Sequence, residues 1–319
     1  LTSASAPGKV ILFGEHAVVS GAKALGAAID LRANVTVLDT PGSITIEARD
    51  LCLRGFFLDV SSGRVISSEA AHATRYIRAV LQEFDAKDLS VKIQSDIPLA
   101  SGLGSSATIV VAATAALNAH LGLGLSQKNI ADHAHKIEKA VQQGLGSPTD
   151  TALATYGGYL QVSSQVQPLE LPGMDIVVGY TNLPHDTRSE VAKVQSLKAR
   201  YPDLVEPIFQ AIGAISDRAV PLIRDQKLAE LGELMNVNHG LLEAIGVGTR
   251  ELAELVYAAR GAGGALGAKL TGAGGGGCMI ALPTPHGFAA LITALRQAKG
   301  TAFAVKTGCE GVRVEREQR

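Results

Sequence analysis

Pro98-Leu99-Ala100-Ser101-Gly102-Leu103-Gly104-Ser105-Ser106-Ala107 joins an alternating run, Leu89-Ser90-Val91-Lys92-Ile93-Gln94-Ser95, to a long apolar stretch at about 106–120. The alternation predicts a half-buried strand and the apolar stretch a helix. A turn at that junction sees the first, unpaired amides of the helix and its positive dipole end. Glycines let the backbone wrap closely around phosphate oxygens, and a serine hydroxyl at the helix start can ligate Mg²⁺. An ordinary tight turn capped by serine has the same sequence, so this segment alone leaves a phosphate site and a plain turn both open.

Two further Gly-rich segments lie far to either side. They are Pro7-Gly8-Lys9-Val10-Ile11-Leu12-Phe13-Gly14-Glu15-His16 and Lys269-Leu270-Thr271-Gly272-Ala273-Gly274-Gly275-Gly276-Gly277-Cys278. Three such turns, with these polar partners, point to an enzyme that moves a phosphoryl group from a nucleotide. The central segment also fits G-x-G-x-x-A, a dinucleotide fingerprint that requires a following strand with an acidic residue at its end. Here the next element is another helix, with Asp132 inside it, so a dehydrogenase is excluded. Gly272–Gly277 fits G-x-G-x-x-G literally but precedes a β-like run. The pattern G-x-x-x-x-G-K-[ST] is absent, which excludes a Walker-type ATPase.

Working outward, residues 8–13, 25–38 and 43–47 read as strands, and 69–84 as a helix with Tyr76, Ile77, Val80, Leu81 and Phe84 on one face. A second helix starts near Ser126 as N-cap and runs to about Gln142. Pro148 opens a short one that ends at Gly157-Gly158. Strands follow near 159–163 and 175–180. The stretch 187–260 is mostly helical, interrupted at Pro202, Asp225 and Gly246-Val247-Gly248. Strands at 266–270 and 278–282 enclose the third Gly-rich segment, before a helix at 286–298 and closing strands. Strands, then helices, then strands predict an α+β chain of two domains, 1–183 and 184–319.

With 319 residues, 46% hydrophobic and 18% charged, the chain can bury a large core; at 4% aromatic and without Trp, that core is Ala, Val, Leu and Ile. Lys and Arg number 29 against 30 Asp and Glu, a net charge of −1, which gives no electrostatic case for nucleic acid or an anionic membrane surface. Cys52, Cys278 and Cys309 have no metal-ligand spacing and read as reduced thiols. No apolar run nears the ~18 residues that span a bilayer, and Leu1–Pro7 is not a secretory signal. A cytoplasmic enzyme is the expected class.

Phosphoryl transfer to an alcohol wants a carboxylate to take the hydroxyl proton and a cation over the phosphate. Asp150 and Lys9 suit those roles, although a first-turn helix charge and a strand-end lysine are the plainer readings. Glu138 suits a Mg²⁺ carboxylate beside Ser106, or is a solvated helix charge. Glu15-His16, a charged pair directly after an apolar strand and a glycine, is expected to face a cleft. Asp132-His133-Ala134-His135 is not a metal site, because i and i+2 diverge on a helix, and reads as a solvated face.

These segments together resemble the GHMP kinase superfamily, and within it most closely the archaeal mevalonate kinases. The resemblance is carried by Gly14-Glu15-His16-Ala17-Val18-Val19-Ser20-Gly21, Ser147-Pro148-Thr149-Asp150-Thr151, Met235-Asn236-Val237-Asn238-His239-Gly240-Leu241-Leu242 with Gly246-Val247, and the Lys269–Cys278 segment. Galactokinases share Gly-Glu-His but continue with Thr-Asp, where this chain has Ala-Val-Val. The resemblance implies an N-terminal domain like the second domain of ribosomal protein S5, a ferredoxin-like C-terminal domain and a substrate cleft between them. It implies ATP and Mg²⁺ as cofactors, mevalonate as substrate, a role in isoprenoid biosynthesis and room for a homodimer.

By motif match, Asp150 would be the catalytic base and Lys9 its electrostatic partner. Pro98 and Ser101 through Ala107 would bind the nucleotide. Ser106 and Glu138 would hold Mg²⁺. Glu15, His16, Gly274 and Gly275 would bind the acceptor. Between Glu138 and Asp150 the chain carries one residue more than the family spacing, around Gln142-Gln143-Gly144, which is expected to bear on the Ser106–Glu138 pairing.

Overall fold

The structure, a computed structural model, describes residues 1–48, 57–59, 64–65, 68–98, 101–142, 144, 147–183 and 186–315. Cys52, Leu99, Ala100, Gln143, Leu145 and Gly146, all named above, lie outside the described residues. The chain begins with β1 (Thr2–Phe13), β2 (Ala24–Asp39), β3 (Thr45–Ala48), β4 (Phe57–Asp59) and β5 (Arg64–Val65). Then come α1 (Ser68–Glu83), β6 (Leu89–Ser95), α2 (Ser105–Leu121), α3 (Gln127–Val141) and α4 (Pro148–Tyr156). Strands β7 (Tyr159–Val162), β8 (Val166–Leu169) and β9 (Asp175–Tyr180) lead to helices α5 (Thr187–Arg200), α6 (Pro202–Arg224), α7 (Leu228–Ala244) and α8 (Arg250–Gly261). Last are β10 (Ala265–Leu270), β11 (Cys278–Pro283), α9 (Phe288–Gln297), β12 (Thr301–Lys306) and β13 (Arg313–Glu315).

Two sheets organise these elements. The first runs β13-β1-β2-β6-β3-β4-β5, with β7 on β2 and β8 on β7; the second is antiparallel, in the order β10-β11-β9-β12. The second sheet therefore takes β9, which precedes residue 183, while β13 returns to the first. Strand β2 shows how burial writes itself into sequence. Its first six residues are buried without a break, where β1 and β7 flank it; from Ala33 onward buried and half-buried residues alternate. Continuous apolar runs belong to strands covered on both faces, alternating ones to strands covered on one.

Helix α2 is apolar nearly all round and accordingly buried from Ala107 to Leu117, its core lying against Val35, Val37, Val91 and Ile93. On the other side of the first sheet, Val10, Leu25 and Ile29 join Ile176, Val178 and Ile280 of the second. The alternate residues Val177, Met279 and Ala281 face α8 and α9. Among the described residues no helix is long and apolar enough to cross a membrane.

Three local expectations change. Strand β1 starts six residues earlier than its apolar run, because Pro7 is accommodated by a register shift between Pro7 and Gly8, beyond the reach of β13, which pairs only Ser3–Ser5. Strand β8 has no apolar alternation because three of its four residues are exposed. The Asp132–His135 stretch is not merely a solvated face. His133 Nδ1 lies 2.9 Å from Glu83 Oε1, Lys136 Nζ donates to the same carboxylate at 2.7 Å, and the His133 ring sits 5.2 Å from that of Phe84, tying α3 to α1.

Candidate active site

Lys9 leaves β1 beneath the Gly102–Ser106 turn. Its backbone N–H donates to Leu103 O at 2.9 Å, and its stem runs against Gly104, where a Cβ would lie 2.9 Å from Lys9 Cγ. Gly104 also has φ +79° and is the N-cap of α2, with no side chain capping that helix. The first-turn amides of α2 are thus left for a ligand, as anion sites at helix N-termini require. Ser105 Oγ, buried in the same turn, has no hydrogen-bond partner. Ser101 Oγ donates to Pro98 O at 2.7 Å and shapes the approach to the turn. Gly104→Ala is expected to cost about 1–2 kcal/mol in backbone strain. By displacing Lys9 it should also lower turnover about 10²-fold; urea denaturation and steady-state kinetics check the two effects separately.

Lys9 Nζ reaches Asp150 Oδ1 at 3.3 Å, an ion pair whose side chains are only 9% and 21% exposed. Asp150 stands in the first turn of α4 because Ser147 caps that helix and Pro148 opens it; Ser147 Oγ accepts from Asp150 N at 3.3 Å. Glu138, from α3, is 1% exposed, and its Oε1 accepts a hydrogen bond from Ser106 Oγ at 3.1 Å. Burial pushes the Glu138 carboxyl up to about 8, and the charge of Asp150 adds to the rise; the Ser106 hydroxyl, Lys9 and the Ser147 backbone pull the other way. Among the described residues its Oε2 has no hydrogen-bond partner. A buried carboxylate with an orphaned oxygen is a costly arrangement unless something cationic joins it.

The residues expected to bind the acceptor join the end of β1 to the third Gly-rich segment. His16, at φ 59°, lies just beyond β1, and its Nε2–H donates to Ala273 O at 2.8 Å. Burial lowers its pKa below the usual imidazole value, so the ring is neutral and Nδ1 is left as an acceptor. Glu15 turns the other way. Its Oε1 pairs with Lys269 Nζ, and its Oε2 accepts from Asn238 Nδ2 at 3.3 Å, all three side chains being buried. Thr271 Oγ1 donates to Ile11 O at 2.8 Å and accepts from Ile11 N at 3.2 Å. Gly274 and Gly275, both at positive φ, pass close to α5 and to the turn before α8. A Cβ on Gly274 would lie 2.2 Å from Val247 O, and one on Gly275 would lie 2.7 Å from Glu190.

Lys9, Ser106, Glu138 and Asp150 therefore converge at one place, with Ser106 and Glu138 paired. Glu15, expected at the substrate, has both carboxylate oxygens engaged within the protein, whereas His16 keeps a free acceptor. Sequence reasoning gave no role to Lys269, Asn238, Thr271 or Ser147. A lone lysine inside the otherwise apolar run Ala265–Leu270 is the signal that could have marked the first of these. Among the described residues no group of three or more His, Cys, Asp or Glu could hold a metal by itself.

A largely enclosed Lys–Asp pair beside uncapped helix amides suits phosphoryl transfer, and the chain belongs to the GHMP kinase family. The pattern for the GHMP kinases N terminal domain matches residues 71–158, and that for the GHMP kinases C terminal matches residues 219–301. Within the family its relatives are mevalonate kinases. One from Pyrococcus horikoshii is 43% identical, over 99% of this chain and 98% of that protein. Solved structures agree. L. major mevalonate kinase, in complex with R-mevalonate, superposes with a TM-score of 0.83 at 27% identity, over 96% of each chain. Methanococcus jannaschii mevalonate kinase gives 0.82 at 28% identity, over 96% of this chain and 98% of that one.

Proposed function

We propose that this chain transfers the γ-phosphoryl group of ATP to the C5 hydroxyl of mevalonate, giving 5-phosphomevalonate for isoprenoid biosynthesis. The observation that carries this reading is the Lys9–Asp150 pair, held at 3.3 Å beside the uncapped start of α2. Asp150 takes the hydroxyl proton as the hydroxyl oxygen bonds to the γ-phosphorus and the bond to the bridging oxygen of ADP breaks. Lys9 favours the forming alkoxide and offsets charge on the transferred group. The amides of Gly102 through Ala107 cradle the nucleotide phosphates, with Pro98 and Ser101 shaping the loop.

Ser106 and Glu138 are the residues that would hold Mg²⁺. They fit it: Glu138 Oε2 is buried and has no partner among the described residues, and Mg²⁺ is usually bound by one or two carboxylates together with substrate phosphates. When bound, the ion supplies positive charge against the phosphates. His16 orients the acceptor through Nδ1, and Glu15 acts by anchoring the loop that carries it. Gly274 and Gly275 form the facing wall. In this reading the cleft lies between domains 1–183 and 184–319, with β9 lent to the second sheet and β13 returned to the first.

Mevalonate-dependent ADP release with Mg²⁺ is the expected result in a coupled assay, with little or no turnover of phosphomevalonate. An acceptor that already carries a phosphate would want further cations in the cleft. Lys269 is committed to Glu15, and Arg188 lies on an exposed turn of α5. Turnover of phosphomevalonate alone would replace the acceptor, and nucleotide binding without phosphorylation of either would identify a ligand-binding protein of the same fold.

A further inference from the structure

Glu138 and Gln142 stand four residues apart, at the end of α3, and so share one face of the chain there. Glu138 Oε1 accepts two hydrogen bonds, from Ser106 Oγ at 3.1 Å and from Gln142 Nε2 at 3.1 Å, whereas Oε2 accepts none from the described residues. We propose that Gln142 is a positioning residue for Glu138: by holding Oε1, it keeps Oε2 turned toward the phosphate-bound cation. This rests on Glu138 being the metal carboxylate of the reading above.

The asymmetry is what gives Gln142 this role. A carboxylate can rotate about its terminal bond and exchange its two oxygens; two donors on one oxygen fix which of them faces the cation. Ser106 is itself a proposed metal ligand, so its hydroxyl has two tasks. Gln142 has one, and its root is fixed: it is the C-cap of α3, with its backbone N–H on Glu138 O at 2.9 Å.

Outer-sphere partners of metal ligands are typically worth 10–100-fold in metal affinity. Gln142→Leu in the full chain is therefore expected to weaken Mn²⁺ binding about tenfold, read by electron paramagnetic resonance titration with ADP present. ADP affinity in EDTA should stay at the wild-type value. Glu138→Gln should weaken Mn²⁺ as well, and Gln142→Leu should add nothing in that background. Wild-type Mn²⁺ affinity in Gln142→Leu, with Glu138→Gln impaired, overturns the positioning role and leaves the role of Glu138 standing. No effect of Glu138→Gln overturns both. Additive losses, or an equal loss of ADP affinity in EDTA, show a structural effect at the helix end and overturn the proposal too.

Discussion

Asp150→Asn is expected to lower kcat on mevalonate by about 10²–10⁴-fold, the range that a positioned general base supplies, while nucleotide affinity stays near the wild-type value. The substitution is nearly isosteric, and Ser147 still caps α4, so the loss isolates the proton acceptor. The amide cannot take a proton at neutral pH, and Lys9, which reaches Asp150 Oδ1 at 3.3 Å, loses its anionic partner. Because the phosphate-binding amides belong to α2 and not to α4, binding of ADP measured by calorimetry should barely change. Single-turnover phosphoryl transfer, measured by quenched flow, should fall in proportion to kcat. Turnover at the wild-type rate in this variant would sink the assignment of the base.

The fold was legible wherever one segment buries itself by its own pattern. Helix α2 was visible because it is apolar on every side, β6 because it alternates, and α4 because Pro148 marks its start. The Gly102–Ser106 turn was legible because its glycines and serines cluster between β6 and α2. Pairings across the chain were not. Ser106 and Glu138 are 32 residues apart and Lys269 and Glu15 are 254 apart, and neither spacing carries a signal until the sheets are assembled. Glu15-His16 shows the limit within two residues. Adjacent side chains leave a turn in opposite directions, so one can be bound up with Lys269 and Asn238 while its neighbour reaches Ala273 of the third Gly-rich segment. Motif matching assigns both to the substrate; burial and hydrogen-bond partners separate them.

Lys269→Met is expected to destabilise the protein by about 3–5 kcal/mol, because removing one member of a buried ion pair leaves the other uncompensated. Both side chains are fully enclosed, at 0% and 1% exposure, and the ammonium also lies 5.8 Å from the Phe13 ring centroid. Burial pushes the Lys269 pKa down, and the neighbouring Glu15 opposes the fall. Adding Glu15→Gln to Lys269→Met should recover much of the loss, since a neutral amide accepts and donates where a lone carboxylate cannot. Urea denaturation of the wild type, Lys269→Met and the double variant measures this directly. A single variant within about 1 kcal/mol of the wild type, against the range expected for buried pairs, would mean the pair does not hold the sheets together. The same substitution carries a kinetic consequence. Glu15–Lys269, Ile11–Thr271 and His16–Ala273 are successive clasps between the end of β1 and the third Gly-rich segment. Loosening the first frees the loop that presents His16, so KM for mevalonate should rise more than kcat falls. The first and third Gly-rich segments, at opposite ends of the chain, are thus clasped to each other, and the rigidity of that junction depends on a buried lysine.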